Sequence, residues 1–207
     1  MRNARYIVVR HGESEANRAR VFAGQTDSPL TALGRRQAKA LAEALRPEPI
    51  TRIVASDLSR ARDTAEAIAR PRGLPVETSA SLREWDVGEL VGLDRAASEE
   101  RFGDVARLFH PGSRVPGGES LEEVVARVRG FLEELTPRAL GQTVCLVAHG
   151  MTNRIIAAYY LGTLPRVAQG NSANTNVTVI ETDGLMHRVL RLFDDAHVPH
   201  VEEAPEG

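Results

Sequence analysis

Two histidines in this chain stand in the same local setting. Val8-Val9-Arg10-His11-Gly12 and Leu146-Val147-Ala148-His149-Gly150 each place an imidazole and a glycine directly after a short apolar run. Such runs read as buried strands. A neutral imidazole is a competent nucleophile, and the fixed cation of Arg10 beside it suits an anionic electrophile such as a phosphoryl group. A third segment, Ala55-Ser56-Asp57-Leu58-Ser59-Arg60-Ala61-Arg62, also follows a short strand and offers Arg60 in the first turn of a helix. A fourth, Leu82-Arg83-Glu84-Trp85, supplies a carboxyl group in apolar and aromatic company.

Phosphoryl transfer asks a protein mainly for positioning and charge stabilisation. Arg10, Arg60 and a protonated His149 would supply three positive charges around three equatorial oxygens. An alkoxide leaves poorly unless protonated, and a general acid such as Glu84 is worth about 10²- to 10⁴-fold. A hydrogen bond from one ring nitrogen of His11 to a backbone carbonyl would fix its neutral tautomer. Each residue taken alone has an ordinary explanation. His11 could be a turn residue and His149 a capped core histidine. Arg60 could pair with Asp57 or Asp63 on its own helix, which is worth little. Glu84 could be a surface carboxylate. The argument rests on the set.

Strand and helix patterns alternate along the chain, which points to an α/β class fold. The expected form is a three-layer α/β/α sandwich with a mostly parallel central sheet, one domain over residues 1–207. Strands are predicted at Tyr6–Val9, Ile53–Ala55 and Thr143–Ala148. Two late strands, Val177–Glu181 and Arg188–Phe193, pair across the Asp183-Gly184 turn. Helices are predicted from about Thr31 to Pro47, from Ser56 or Asp57 to about Arg70, and from Met151 to Leu161. Ser120-Leu121-Glu122-Glu123 is a capping-box pattern opening a helix that ends before Pro137. Residues 85–119, punctuated by Gly88, Gly92, Gly103, Gly112, Gly117 and Gly118, read as an irregular insertion with one helix, covering the C-terminal edge of the strands. The tail from Val201 reads as loose. In a parallel sheet the two histidines and Arg60 would meet at one edge.

Composition narrows the partners. The net charge is −2, with 42% hydrophobic and 26% charged residues. That balance gives no general nucleic-acid or membrane surface. Cys145 is the only cysteine, inside an apolar strand, so no intrachain disulfide forms and a buried thiol is expected. No apolar stretch approaches about 18 residues and no signal-like segment opens the chain, so a cytoplasmic protein is expected. His110, His187, His197 and His200 carry no motif. Asp194 and Asp195 near the last two are ordinary loop residues, and neither a metal nor another cofactor is expected. A homodimer agrees with base rates, without an interface signature in the sequence.

In content and order these blocks resemble the histidine phosphatase superfamily, which includes the cofactor-dependent phosphoglycerate mutases. The blocks are Arg10-His11-Gly12-Glu13-Ser14, the segment from Ser56 to Ala65, Leu82-Arg83-Glu84 and Ala148-His149-Gly150. Thr26-Asp27-Ser28-Pro29-Leu30-Thr31 and Asn174-Thr175-Asn176-Val177 add to the likeness, which spans nearly the whole chain. The resemblance implies that His11 becomes phosphorylated. It implies that Arg10, Arg60 and His149 hold the phosphoryl oxygens, helped by Asn17 and the backbone at Gly150. It implies that Glu84 protonates the leaving oxygen.

One departure concerns the loop before Asp27. Many members of the phosphatase branch carry a glutamine before its glycine. Here Ala23 stands there and Gln25 follows Gly24. Gln25, Thr26 and Arg83 are carried as candidate substrate contacts. Within the insertion, Trp85, Arg95, Arg101, Phe102, Phe109 and Arg114 are candidates for specificity. The compact chain and its Pro116-Gly117-Gly118-Glu119-Ser120 segment look more like the phosphatase branch. The expected activity is metal-independent hydrolysis of a small phosphorylated metabolite. The alternatives are a 2,3-bisphosphoglycerate-dependent mutase and a non-catalytic phospho-ligand binder, which would lack one of the five residues.

Overall fold

The computed structural model describes residues 3–164 and 173–198. In chain order the elements are β1 (Ala4–Arg10), α1 (Glu15–Ala19), α2 (Ala32–Ala44), β2 (Arg52–Ser56), α3 (Ser59–Ala69), β3 (Val76–Ser79), α4 (Arg95–Phe102), α5 (Leu121–Ala139), β4 (Thr143–Ala148), α6 (Gly150–Leu161), β5 (Val177–Thr182) and β6 (His187–Asp194). The strands form one sheet in the order β3-β2-β4-β1-β5-β6. The first four strands run parallel, while β5 runs antiparallel to β1 and β6 antiparallel to β5. Fold class, the five predicted strands and the late hairpin follow the sequence reading.

The central strands are apolar on both faces because helices cover both. Tyr6, Val8, Val54, Val144, Leu146 and Ile180 pack with Val124, Val128 and Leu132 of α5 and with Ile155, Ile156 and Tyr160 of α6. Ile7, Val9, Ile53, Cys145, Val147 and Val179 pack on the other face with Leu41 of α2 and with Ala61, Ala65 and Ile68 of α3. This is the period-two alternation of a strand between two layers. Cys145 is buried, and burial pushes its thiol up to about 12. Among the described residues no helix is long and apolar enough to cross a membrane.

Four boundaries differ from the sequence reading, each for a physical reason. The one-turn α1 was not expected. It exists because Ser14 and Asn17 form a capping box, Ser14 Oγ accepting from Asn17 N and Asn17 Oδ1 from Ser14 N. β3 was also missed, since it is a short edge strand of largely exposed polar residues with no apolar period. α3 opens after Leu58, not at Ser56 or Asp57. Ser56 Oγ accepts instead from Leu58 N, and Asp57 is taken by Arg83. α5 runs through Pro137 rather than ending before it. A proline inside a helix costs about 3 kcal/mol, but Leu132, Leu135 and Ala139 continue the buried stripe across it. The insertion contains one α-helix, α4, as expected, with short 3₁₀ turns at Gly88–Leu90 and Val105–Phe109. The tail from Val201, and His200, lie outside the described residues.

The loop after β1 is pressed backbone to backbone against the first turn of α2. Thr31 caps that helix, its Oγ1 accepting from Gly34 N at 2.9 Å and donating to Glu13 Oε1 at 2.7 Å. A Cβ on Gly34 would stand 2.0 Å from Glu13 O, and one on Gly12 2.4 Å from Gly34 O. In an open helix Gly→Ala gains about 1 kcal/mol. Here crowding reverses the sign, at a typical cost of about 1–3 kcal/mol. Gly34→Ala should therefore lower Tm by several degrees, taking roughly 2–4 °C per kcal/mol for a chain of this size. A thermal melt at or above that of the parent protein would contradict this packing.

Candidate active site

A cavity of about 310 Å³ opens at the C-terminal edge of the parallel strands, with Arg10, His11, Asn17, Arg60, Glu84 and Gly150 in its wall. The strand register explains the convergence. Arg10 pairs with Ala148, so the residues that follow, His11 and His149, emerge side by side. His11 N donates to Ala148 O at 3.1 Å, and the two imidazole centroids are 5.0 Å apart.

His11 is fixed in one tautomer. Its Nδ1 lies 2.7 Å from Gly12 O. A carbonyl can only accept, so Nδ1 carries the hydrogen and Nε2 keeps its lone pair. Gly12 N donates to Thr64 Oγ1 at 3.0 Å, and Asn174 Nδ2 donates to His11 O at 2.9 Å. Burial, with the charges of Arg60 and Arg10, holds the ring well below the usual histidine range. His11 is therefore neutral at pH 7.

Arg60 is buried, and its guanidinium is aimed by backbone carbonyls. Nη1 donates to Thr26 O at 2.9 Å and Nη2 to Gly24 O at 2.8 Å. Pairing along its own helix does not occur, since Asp57 goes to Arg83 and Asp63 to Arg62. Arg10 is half-buried, and its shielded Nε has no hydrogen-bond partner. Burial lowers the Arg10 guanidinium to about 10, a fall that the nearby Glu84 charge limits.

His149 departs from expectation. Both its ring nitrogens are buried without partners. Burial first, then His11, Arg60 and Arg10, holds the ring well below the usual range. The protonated His149 expected from sequence is thus a neutral imidazole in the ligand-free site. Two cations already stand beside it, and a third charge would be desolvated there without a partner.

Glu84 comes from the irregular stretch after β3 and rests on the N-terminus of α6. Its Oε2 accepts from Met151 N at 3.1 Å. Its Oε1 accepts from Trp85 N at 3.0 Å and Thr152 N at 3.3 Å. Gly150 sits beside both groups: a Cβ there would lie 3.6 Å from Glu84 Oε2 and 3.7 Å from Arg10 Nε, at ordinary contact distance. Asn17 lines the cavity while its Oδ1 accepts from Ser14 and Asn174.

Gln25, Thr26 and Arg83 do not line the cavity. Arg83 makes a two-pronged pair with Asp57 at 2.8 and 2.6 Å, Gln25 Nε2 donates to Glu119, and Thr26 Oγ1 donates to Ala23 O. Thr26 contributes only the carbonyl that holds Arg60. Of the insertion residues, Trp85 and Phe109 reach the cavity, their rings edge to face at 5.0 Å. Arg95, Arg101 and Arg114 make ion pairs with Glu99, Glu89 and Glu123 instead. Val21, Phe22, Val87, Met151 and Arg154 also line the wall and were missed. Arg154 was legible, since it sits one helical turn beyond Gly150 on the same face. Phe22 was not, because its stacking on Phe109 at 6.1 Å joins distant segments. Among the described residues no group of three or more His, Cys, Asp or Glu is placed to hold a metal ion.

The two depressed imidazoles make stability depend on pH. Unfolded, each takes up a proton as pH falls through about 6.5. Folded, each resists to much lower pH, so the unfolded chain binds more protons in that window. Stability therefore falls as pH drops below about 6.5. His11→Asn should shrink the loss of urea midpoint between about pH 7.5 and about pH 5.5. An unchanged difference would show that His11 is protonated in the folded protein.

Comparison with known proteins places the chain in a family. The model of the histidine phosphatase superfamily (branch 1) matches residues 6–195. A probable phosphoglycerate mutase GpmB of Photorhabdus laumondii is 38% identical over 179 residues, covering 85% of this chain and 83% of that relative. A mycobacterial glucosyl-3-phosphoglycerate phosphatase in complex with VO3 superposes with a TM-score of 0.84 at 31% identity, covering 93% of this chain and 100% of that one. YhfR of Bacillus stearothermophilus gives 0.83 at 28% identity, covering 94% and 98%. With a neutral, tautomer-locked histidine beside Arg10 and Arg60 at the strand ends, and matched by that family's model over nearly its whole length, the protein belongs to branch 1 of the histidine phosphatase superfamily.

Proposed function

We propose that the protein hydrolyses phosphomonoesters of small metabolites through a phosphohistidine on His11. The observation that carries this is the state of His11: neutral, with Nε2 free, beside two guanidinium groups. Nε2 attacks phosphorus, the N–P bond forms and the P–O ester bond breaks. The departing oxygen takes a proton from Glu84. Water then attacks the phosphorus of phospho-His11, giving its proton to the Glu84 carboxylate as the N–P bond breaks. Arg10 and Arg60 face the negative charge throughout. The unpartnered Nε of Arg10 and the one N–H of the neutral His149 ring are donors that phosphoryl oxygens fit. A dianionic phosphoryl group also favours uptake of a proton by His149, since an adjacent opposite charge favours the charged form.

The leaving alcohol would face Val21, Phe22, Trp85, Phe109 and Met151. An organic group with an apolar surface fits such a wall. This supports an organic phosphomonoester as substrate, and the similar solved structure named as a glucosyl-3-phosphoglycerate phosphatase favours hydrolysis. A second reading, 2,3-bisphosphoglycerate-dependent mutase, is favoured by the curated relatives named as probable phosphoglycerate mutases. A non-catalytic binder is disfavoured, since all five residues of the proposed machinery are present and converge.

Phosphorus NMR separates these readings. The enzyme is given 3-phosphoglycerate with and without 2,3-bisphosphoglycerate, beside a panel of phosphomonoesters, with His11→Ala as blank. Phosphate release from some esters without 2-phosphoglycerate is expected, and His11→Ala should release none. Bisphosphoglycerate-dependent interconversion of the two monophosphoglycerates would make this a mutase. Binding without any turnover would make it a binder. A chelator should leave hydrolysis unchanged; inhibition reversed by added metal would refute the two-arginine mechanism.

A further inference from the structure

We propose that Arg127 and Glu119 are positioning residues for Glu84, an inference that rests on the proposed role of Glu84 as proton donor. Glu84 stands in a stretch with no strand or helix of its own, between the 3₁₀ turns Ala80–Leu82 and Gly88–Leu90. No ladder of backbone hydrogen bonds therefore fixes it. Arg127, on α5, supplies the missing partners. Its Nη1 donates to Ser81 O at 2.9 Å and to Arg83 O at 3.0 Å, and its Nη2 to Glu84 O at 3.3 Å. Its remaining two donors go to Glu119, Nε to Oε1 at 3.0 Å and Nη2 to Oε2 at 2.9 Å. All five donors of the guanidinium fork are used.

Glu119 closes the brace from the other side. Its Oε2 also accepts from Asp86 N at 2.9 Å, and its backbone O accepts from Trp85 Nε1 at 2.9 Å. The strip leading to Glu119 lies against the same stretch, so closely that a Cβ on Gly118 would stand 2.3 Å from Asp86 O. The acid is thus held on two sides. Its carboxyl group rests on the start of α6, its backbone carbonyl is gripped by Arg127, and the two residues after it are held by Glu119. The pair is mostly shielded, with side chains 19% and 21% exposed. Lysine could not replace the arginine, since a point charge with three donors cannot span three carbonyls and a carboxylate.

A purely structural brace would, when cut, lower stability and slow all substrates alike. A brace that sets the acid hurts only those substrates that need the acid. The test compares kcat/KM for an alkyl phosphate and for p-nitrophenyl phosphate, whose leaving group needs little protonation. This ratio reports the step in which the ester bond breaks. A misplacement of about 1 Å can cost up to about 10²-fold. Arg127→Met should thus lose about 10- to 100-fold on the alkyl ester and only a few-fold on the aryl ester. Arg127→Lys and Glu119→Gln should show the same bias, more weakly. Should Arg127→Met fail to fold, as judged by circular dichroism, the other two variants carry the test.

Glu84→Gln is measured in parallel. If it shows the leaving-group bias and the brace variants lose both activities equally, the positioning proposal is overturned. If Glu84→Gln itself loses both equally, the proton-donor reading fails and the inference falls with it. Bias in all the variants supports both.

Discussion

The cavity depends on one electrostatic constraint: two guanidinium groups and two imidazoles are buried together with a single carboxylate among them. A buried charge without partners is costly, and the fold meets that cost unevenly. Arg60 is satisfied by the carbonyls of Gly24 and Thr26. Arg10 keeps an unpartnered Nε, and His149 keeps two unpartnered ring nitrogens. The imidazoles answer burial first, and the crowding of positive charge second, by remaining neutral. A site left this way is electropositive and short of acceptors, which is the complement of a phosphoryl group.

Parallel pairing of β1 with β4 is what brings the two histidines together. Neither strand end could be shifted by one residue without turning an imidazole to the opposite face. The glycines beside them act by absence. Gly12 and Gly34 let the His11 loop lie on α2. Helix α6 begins at that point, so its first N–H groups face the only carboxylate in the cluster.

Residues 85–119 have little regular structure, yet they form a wall of the cavity. Trp85 and Phe109 make the apolar side, while Glu119 and the strip before it hold the Glu84 stretch in place. One segment therefore shapes the space for the organic group and also fixes the carboxyl group. Changes in this segment that alter specificity would be expected to disturb proton transfer as well, because both rest on the same backbone.

The alternation of apolar strands and amphipathic helices determined the α/β class, since burial on two faces leaves a pattern in the chain. The blocks around His11, Arg60, Glu84 and His149 were legible because each is a short local signal at a strand end or turn. Ordinary boundaries were less so: Pro137 reads as a stop, but the buried stripe of α5 carries the helix past it. Gln25 and Arg83 read as substrate contacts, yet ion pairing and hydrogen bonding between distant segments turn them away from the cavity. Phe22, Met151 and the charge state of His149 were decided only by tertiary structure. Which side chains share a wall, and how far burial opposes a proton, depend on neighbours brought from far along the chain. Local sequence names the chemical groups; packing decides which of them meet and in what state of charge.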